Sequence, residues 1–228
     1  MREGERRRWL LKRWVELCDR LCPEMPFESA DAIFAVLQGL YACPRRHYHG
    51  LGHVRQCLLA LDGLLEAGRG EFASVRPDLA RLAVWTHDAI FESQRNDNEQ
   101  RSAEVAKLIC GRFGLSLDAT QAVAGMVLAT RHRAAGVGVP LSPEERLVAD
   151  ADLAVLAGDE ASYDAYAAGV RREFAFLDDA EFASGRAGFV QRMLGRERIF
   201  QTETGHRLFE SRARENLRRE LSNCLLCV

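Results

Sequence analysis

The chain has 228 residues, enough for one large domain or two small ones, and a fold of this size removes roughly 70% of its unfolded surface from water without needing staples. A composition of 47% apolar and 28% charged residues is that of an ordinary soluble globular protein, and a formal charge of −2 excludes a general pull toward nucleic acid or anionic membrane. The charged opening MREGERRRWLLKRW lacks the apolar run of a secretory signal, and no window reaches the roughly 20 apolar residues that span a bilayer, so a cytoplasmic protein is expected.

Helical periodicity recurs along the whole chain, and strand signals are nearly absent. A first helix is expected over about Glu5 to Leu21, ended by Pro23 and Pro26, and a second over Ser29 to Tyr41, with Ile33, Phe34, Leu37 and Leu40 on one face. The third runs from about His49 to Glu66, with Gly68 as C-cap. Pro77 and Asp78 start the fourth. In it the stretch Leu79 to Phe91, LARLAVWTHDAIF, reads as a buried helix carrying His87 and Asp88 near its C-terminal end.

Asn96, Asp97 or Asn98 can cap a fifth helix, from about Glu99 to Phe113, and a sixth spans Asp118 to His132. After a Gly- and Pro-containing loop, Ser142, Pro143, Glu144 and Glu145 make a strong start for a seventh, which carries Asp152. Three more follow, over about Glu160 to Leu177, Glu181 to Leu194 and Gly205 to Ser222. The expected fold is an all-α, single-domain helical bundle over 1–228: N-terminal helices in 1–43, a core in 44–158 and C-terminal helices in 159–228.

Burying an adjacent His and Asp is costly unless something pairs with them, and a divalent cation would supply that pairing. His49 and His53 stand four residues apart, which on a helix places them on the same face. His-x3-His alone is a weak signal. Joined to His87-Asp88 and to Asp150-Ala-Asp152, it suggests separate helices converging on one ion in the bundle core. Seven cysteines, an odd number, argue against a closed disulfide framework. Cys18, Cys22, Cys224 and Cys227 could in principle hold zinc, but read more simply as small core residues or an exposed tail.

The segments RRHYHGLGHV, LAVWTHDAIF, DNEQRSAEVA, LATRH, DADLAVL, YDAYAAGVRREF and ESRARENLRREL resemble the HD superfamily of metal-dependent phosphohydrolases. They are most similar to its bacterial subgroup of predicted metal-dependent HD phosphohydrolases, over about Arg46 to Leu221. The resemblance implies an HD-type core with His53, His87, Asp88 and Asp152 as metal ligands; the Ala151-Asp152-Leu153 context selects Asp152 over Asp150. Tyr48-His49-x3-His53 is also similar to an element of the cyclic-nucleotide phosphodiesterases, which implies His49 as general acid.

The implied cofactor is one divalent ion; manganese, iron, cobalt, nickel and zinc suit the ligands, and magnesium could be kept at open positions. The implied activity is hydrolysis of a phosphoester or phosphoanhydride in a nucleotide or small phosphorylated metabolite. In it Asp88 orients water, His49 protonates the leaving oxygen and Arg46 faces phosphate. His132, Asn98, Glu99 and Arg171 are candidate substrate contacts, although a helix cap or a structural ion pair would explain the last three equally well. A non-catalytic metal- or nucleotide-binding signalling module is the alternative. A di-iron HD oxygenase would need more ligands than the sequence offers. Neither a nucleic-acid nor a membrane partner is expected, and a homodimer is compatible with the sequence.

Overall fold

The computed structural model describes residues 3–132 and 140–226. Among the described residues all regular structure is helical. The helices are α1 (Glu3–Leu21), α2 (Phe27–Tyr41), α3 (Leu51–Ala67), α4 (Pro77–Thr86), α5 (Asn98–Arg112), α6 (Leu117–Ala129), α7 (Pro143–Leu153), α8 (Glu160–Glu173), α9 (Asp179–Leu194) and α10 (Glu203–Leu226). One 3-10 turn, Ala154–Ala157, joins α7 to α8. Among the described residues no helix is long and apolar enough to cross a membrane. Cys18 is buried in the core and Cys22 is half-buried; the side chains of Cys224 and Cys227 lie outside the described residues.

The apolar positions that define each helix also define what it packs against. On α1, Leu10, Trp14, Leu17 and Cys18 recur at helical spacing and are buried. On α4 nearly every residue from Leu79 to Thr86 is buried, so this helix has no solvent face and runs through the middle of the bundle, touching α1, α3, α5, α6 and α7. Trp85 of α4 meets Trp14 edge-on at 5.3 Å, and the Trp14 indole N–H donates to the Ala30 carbonyl at 2.8 Å.

The buried apolar side chains fall into two clusters. The larger is built by α1 to α7. The smaller is built by Leu153, Leu156 and α8 to α10, with Tyr163, Val190 and Phe200 at its centre. Phe209 packs against both, and Tyr48, from the segment before α3, packs against the smaller one. The segment around Tyr48 and the end of α7 therefore lie along the seam between the two.

The start expected for the seventh helix from its local cap signal holds, while Asp97 before α5 makes no side-chain cap and α8 ends at Glu173, short of Leu177. Ser142 Oγ accepts the Glu145 N–H at 3.2 Å while Glu145 accepts the Ser142 N–H at 2.7 Å, a reciprocal cap with Pro143 in the first turn. Three ends near the candidate site differ from expectation. The fourth helix stops at Thr86, so His87 and Asp88 occupy the turn beyond it. Side chains from elsewhere take the carbonyls here: Tyr41 Oη donates to Trp85 O in the last turn, and Arg46 donates to Asp88 O and Ala89 O in the turn that follows. The third helix begins at Leu51, so His49 precedes it and does not share a helical face with His53. The sixth ends at Ala129, and His132 stands beyond it at φ 49°, in the left-handed region that few non-glycine residues adopt.

Candidate metal centre

Three backbone segments deliver the site. His53 lies in the first turn of α3, His87 and Asp88 in the turn after α4, and Asp152 in the last turn of α7. His53 and His87 are buried, and Asp88 and Asp152 are mostly covered. The four expected ligands come together. His53 Nε2 lies 3.0 Å from His87 Nε2, 2.9 Å from Asp152 Oδ1 and 3.5 Å from Asp88 Oδ2. His87 Nε2 lies 3.2 Å from Asp88 Oδ2 and 3.4 Å from Asp152 Oδ1. Donors bonded at about 2.0–2.2 Å to one shared ion stand roughly 3 to 3.5 Å from each other, which is the spacing found.

Hydrogen bonds set the orientation of these donors. The His87 Nδ1–H donates to the Val84 carbonyl at 2.8 Å, which fixes the ring and turns Nε2 to the cluster. Asp152 uses its second oxygen on His132 Nε2 at 2.7 Å, so His132 also joins the site. Asp150, the other candidate in the same turn, faces away. Its carboxylate accepts from Gln201 N at 2.7 Å and from Thr202 N and Oγ1 at 2.8 and 2.7 Å.

Cys57, one helical turn beyond His53 on α3, completes a group of His53, Cys57, His87 and Asp152 able to hold a metal ion. Its Sγ lies 3.5 Å from both ring nitrogens of His53 and 3.9 Å from Asp152 Oδ1. The sequence reading passed over Cys57, although His53-x3-Cys57 is the same one-turn spacing that draws attention to histidine pairs. Burial pushes its thiol well above the ordinary range, and the charges of Asp152 and Asp88 push it further.

The electrostatics of the cluster are those of a site short of positive charge. Burial alone would lower the pKa of His87, but Asp88 and Asp152 raise it well above 6.5. Burial would likewise raise both carboxyls, yet His87 holds Asp88 far below its ordinary range, and hydrogen bonds from His132, His53 and His87 do the same to Asp152. His53 is lowered, chiefly by burial. Two imidazole nitrogens facing at 3.0 Å need either a proton or a cation between them, and the donor set fits a divalent ion.

His49 sits at the rim. Its ring stacks on Phe91 at 4.0 Å, and its Nδ1 contacts Glu173 Oε2 at 2.6 Å. The other oxygen of Glu173 accepts the N–H groups of His47, Tyr48 and His49 at 2.8, 2.7 and 2.9 Å. One carboxylate from the end of α8 thus shapes the whole segment before α3. The close approach needs Gly169, where a Cβ would come within 3.1 Å of Tyr48 Cβ and 3.2 Å of His47 O. Burial would lower the His49 pKa, but the Glu173 hydrogen bond and the charges of Asp88 and Asp152 raise it. Nothing local in the sequence marks Glu173 as a partner for a residue 124 positions away.

The remaining candidates hold the surroundings in place. Arg46 donates to His49 O at 3.2 Å, Asp88 O at 2.6 Å and Ala89 O at 3.0 Å, tying the entrance of α3 to the His-Asp turn. Asn98 binds both the N–H and the carbonyl of Glu92, and Ser102 does the same for Ile90, so α5 braces that turn from the other side. Glu99 is half-buried in the first turn of α5. Arg171 donates to Phe174 O, Leu177 O and Asp179 Oδ1 and lies over the Phe182 ring, where it finishes the C-terminal end of α8. Comparison with protein-family models, curated proteins and solved structures returns no match.

Proposed function

We propose that the chain is a metal-dependent phosphohydrolase of HD type, acting on a phosphoester or phosphoanhydride of a nucleotide or small phosphorylated metabolite. The observation that carries this reading is the pairing of a two-histidine, two-carboxylate cluster with a histidine–glutamate dyad on its rim. A ligand site with no proton donor would suit storage or structure. A proton donor beside it suits bond cleavage with a leaving oxygen to protonate.

A divalent ion held by His53, His87, Asp88 and Asp152 would polarise a phosphoryl oxygen and lower the pKa of water. The rest of the work falls to the chain. Asp88 gives Oδ2 to the cluster, and its other oxygen can orient the attacking water. His49, whose Nδ1 is occupied by Glu173, has Nε2 free to protonate the leaving oxygen, and the Glu173 hydrogen bond raises its pKa against the effect of burial. His132 braces Asp152 through Oδ2, which commits its Nε2 and leaves Nδ1 as the atom that could face a phosphate oxygen. Phe91 keeps the His49 ring flat against an apolar surface. Arg46 acts as a strut, since both terminal nitrogens are already committed to carbonyls.

A screen of nucleotides and phosphorylated metabolites with several divalent ions tests this reading. Phosphate release that depends on the ion is expected, and His87→Ala should abolish it. His49→Ala should keep the metal and lower release roughly 10²- to 10⁴-fold. Turnover that ignores chelation, or a His49→Ala protein as active as the parent, would sink the assignment.

A further inference from the structure

We propose that the Tyr48 hydroxyl is a substrate-binding group, donating a hydrogen bond to an oxygen of the phosphoryl moiety at the His53–His87–Asp88–Asp152 cluster; the inference rests on the phosphohydrolase reading above. The chain has four tyrosines, and their hydroxyls are treated differently. Tyr41 donates to the Trp85 carbonyl, Tyr163 to Glu220, and Tyr166 accepts from Arg186. The Tyr48 hydroxyl is buried and has no hydrogen-bond partner.

An unpartnered buried hydroxyl costs about 1–3 kcal/mol, and phenylalanine would fill the same space without that cost. The ring has no freedom to turn its hydroxyl elsewhere. It meets Tyr166 at 4.7 Å, His53 at 4.7 Å and His49 at 4.8 Å, between a metal-ligand candidate and the proton-donor candidate. A phenol carries its proton at neutral pH, so the hydroxyl is a donor. A donor beside the cluster that bonds to neither carboxylate calls for an acceptor brought from outside. A phosphoryl group carries such acceptor oxygens.

Tyr48→Phe tests the assignment, with manganese and then inorganic phosphate titrated calorimetrically and thermal melting followed in parallel. Unchanged manganese affinity, an equal or higher melting temperature and phosphate binding about tenfold weaker are expected, the effect of one lost hydrogen bond to a charged group. Phosphate affinity within twofold of the parent overturns the assignment, and so does a lowered melting temperature, because it would reveal a structural partner for the hydroxyl. A manganese-loaded parent that takes up no phosphate removes the phosphohydrolase reading itself, and the role of Tyr48 with it.

Discussion

Two aspartates two residues apart on α7 look out on two kinds of buried polar centre. Asp150 meets only donors: the N–H groups of Gln201 and Thr202 and the Thr202 hydroxyl at the entrance to α10. Glu71 and Glu210 take the neighbouring N–H groups of Glu203, Thr204, Ile199 and Phe200, and Gly205 leaves room where a Cβ would collide with the Asp150 carboxylate. Each acceptor there has its donor, and the result is an anchor. Asp152 meets three imidazoles and lies beside a second carboxylate, in a group where two Nε2 atoms confront each other. Its members agree only when a proton or a cation is added. Internal satisfaction marks a joint in the scaffold, and internal conflict marks a place built for a visitor.

Exchanging the two aspartates for alanine is the strongest way to break this contrast. Asp152→Ala should weaken metal binding by more than the roughly 10–100-fold typical of a lost outer partner, and should abolish the rise in melting temperature that metal gives the parent. Asp150→Ala should retain the metal and lower folding stability by roughly 3 kcal/mol, through three orphaned donors. Calorimetric metal titration and chemical unfolding on both proteins separate the cases; equal effects on both properties would erase the distinction.

A smaller effect sharpens it. Asp88 and Asp152 raise the His87 pKa in the metal-free protein, so a cation bound there would compete with a proton. Metal affinity should therefore climb by about tenfold per pH unit below the His87 pKa and level off above it. Isothermal titrations between pH 6 and 8 check the slope, and a flat profile would contradict the proton-for-metal exchange.

The smallest effect belongs to the rim. Glu173→Gln keeps the shape of the side chain but removes the charge that raises His49. Turnover that needs protonated His49 is lost as pH rises through the His49 pKa, so the variant's alkaline limb should move to lower pH. An NMR titration of His49 follows the same shift independently of turnover.

The chemistry of the cluster was legible in the sequence because His and Asp are metal-competent by type. The choice of His53, His87, Asp88 and Asp152 came with the family resemblance, and the helices around them are set by apolar periodicity. What was not legible came from far along the chain. No local signal ends α4 at Thr86; the groups that bind the carbonyls of Trp85, Asp88 and Ala89 around that end belong to Tyr41 and Arg46. The helical placement of His49 failed for the same reason, since Glu173 draws the preceding N–H groups out of register with α3. Cys57 stands one turn beyond His53, and that spacing alone could have marked it. Asp150 was a rival for the metal only while Thr202 and its neighbours had no place in space.

Arg46 gives the centre a property that matters to anyone wishing to transplant it. Its guanidinium fastens the loop leading into α3 to the loop leaving α4, while Asn98 and Ser102 fasten the latter loop to α5. A graft that copied only the chelating side chains onto another bundle would leave them on loose ends. The transferable unit is the cluster together with its three braces, and a design that carried both would inherit the four side chains already assembled.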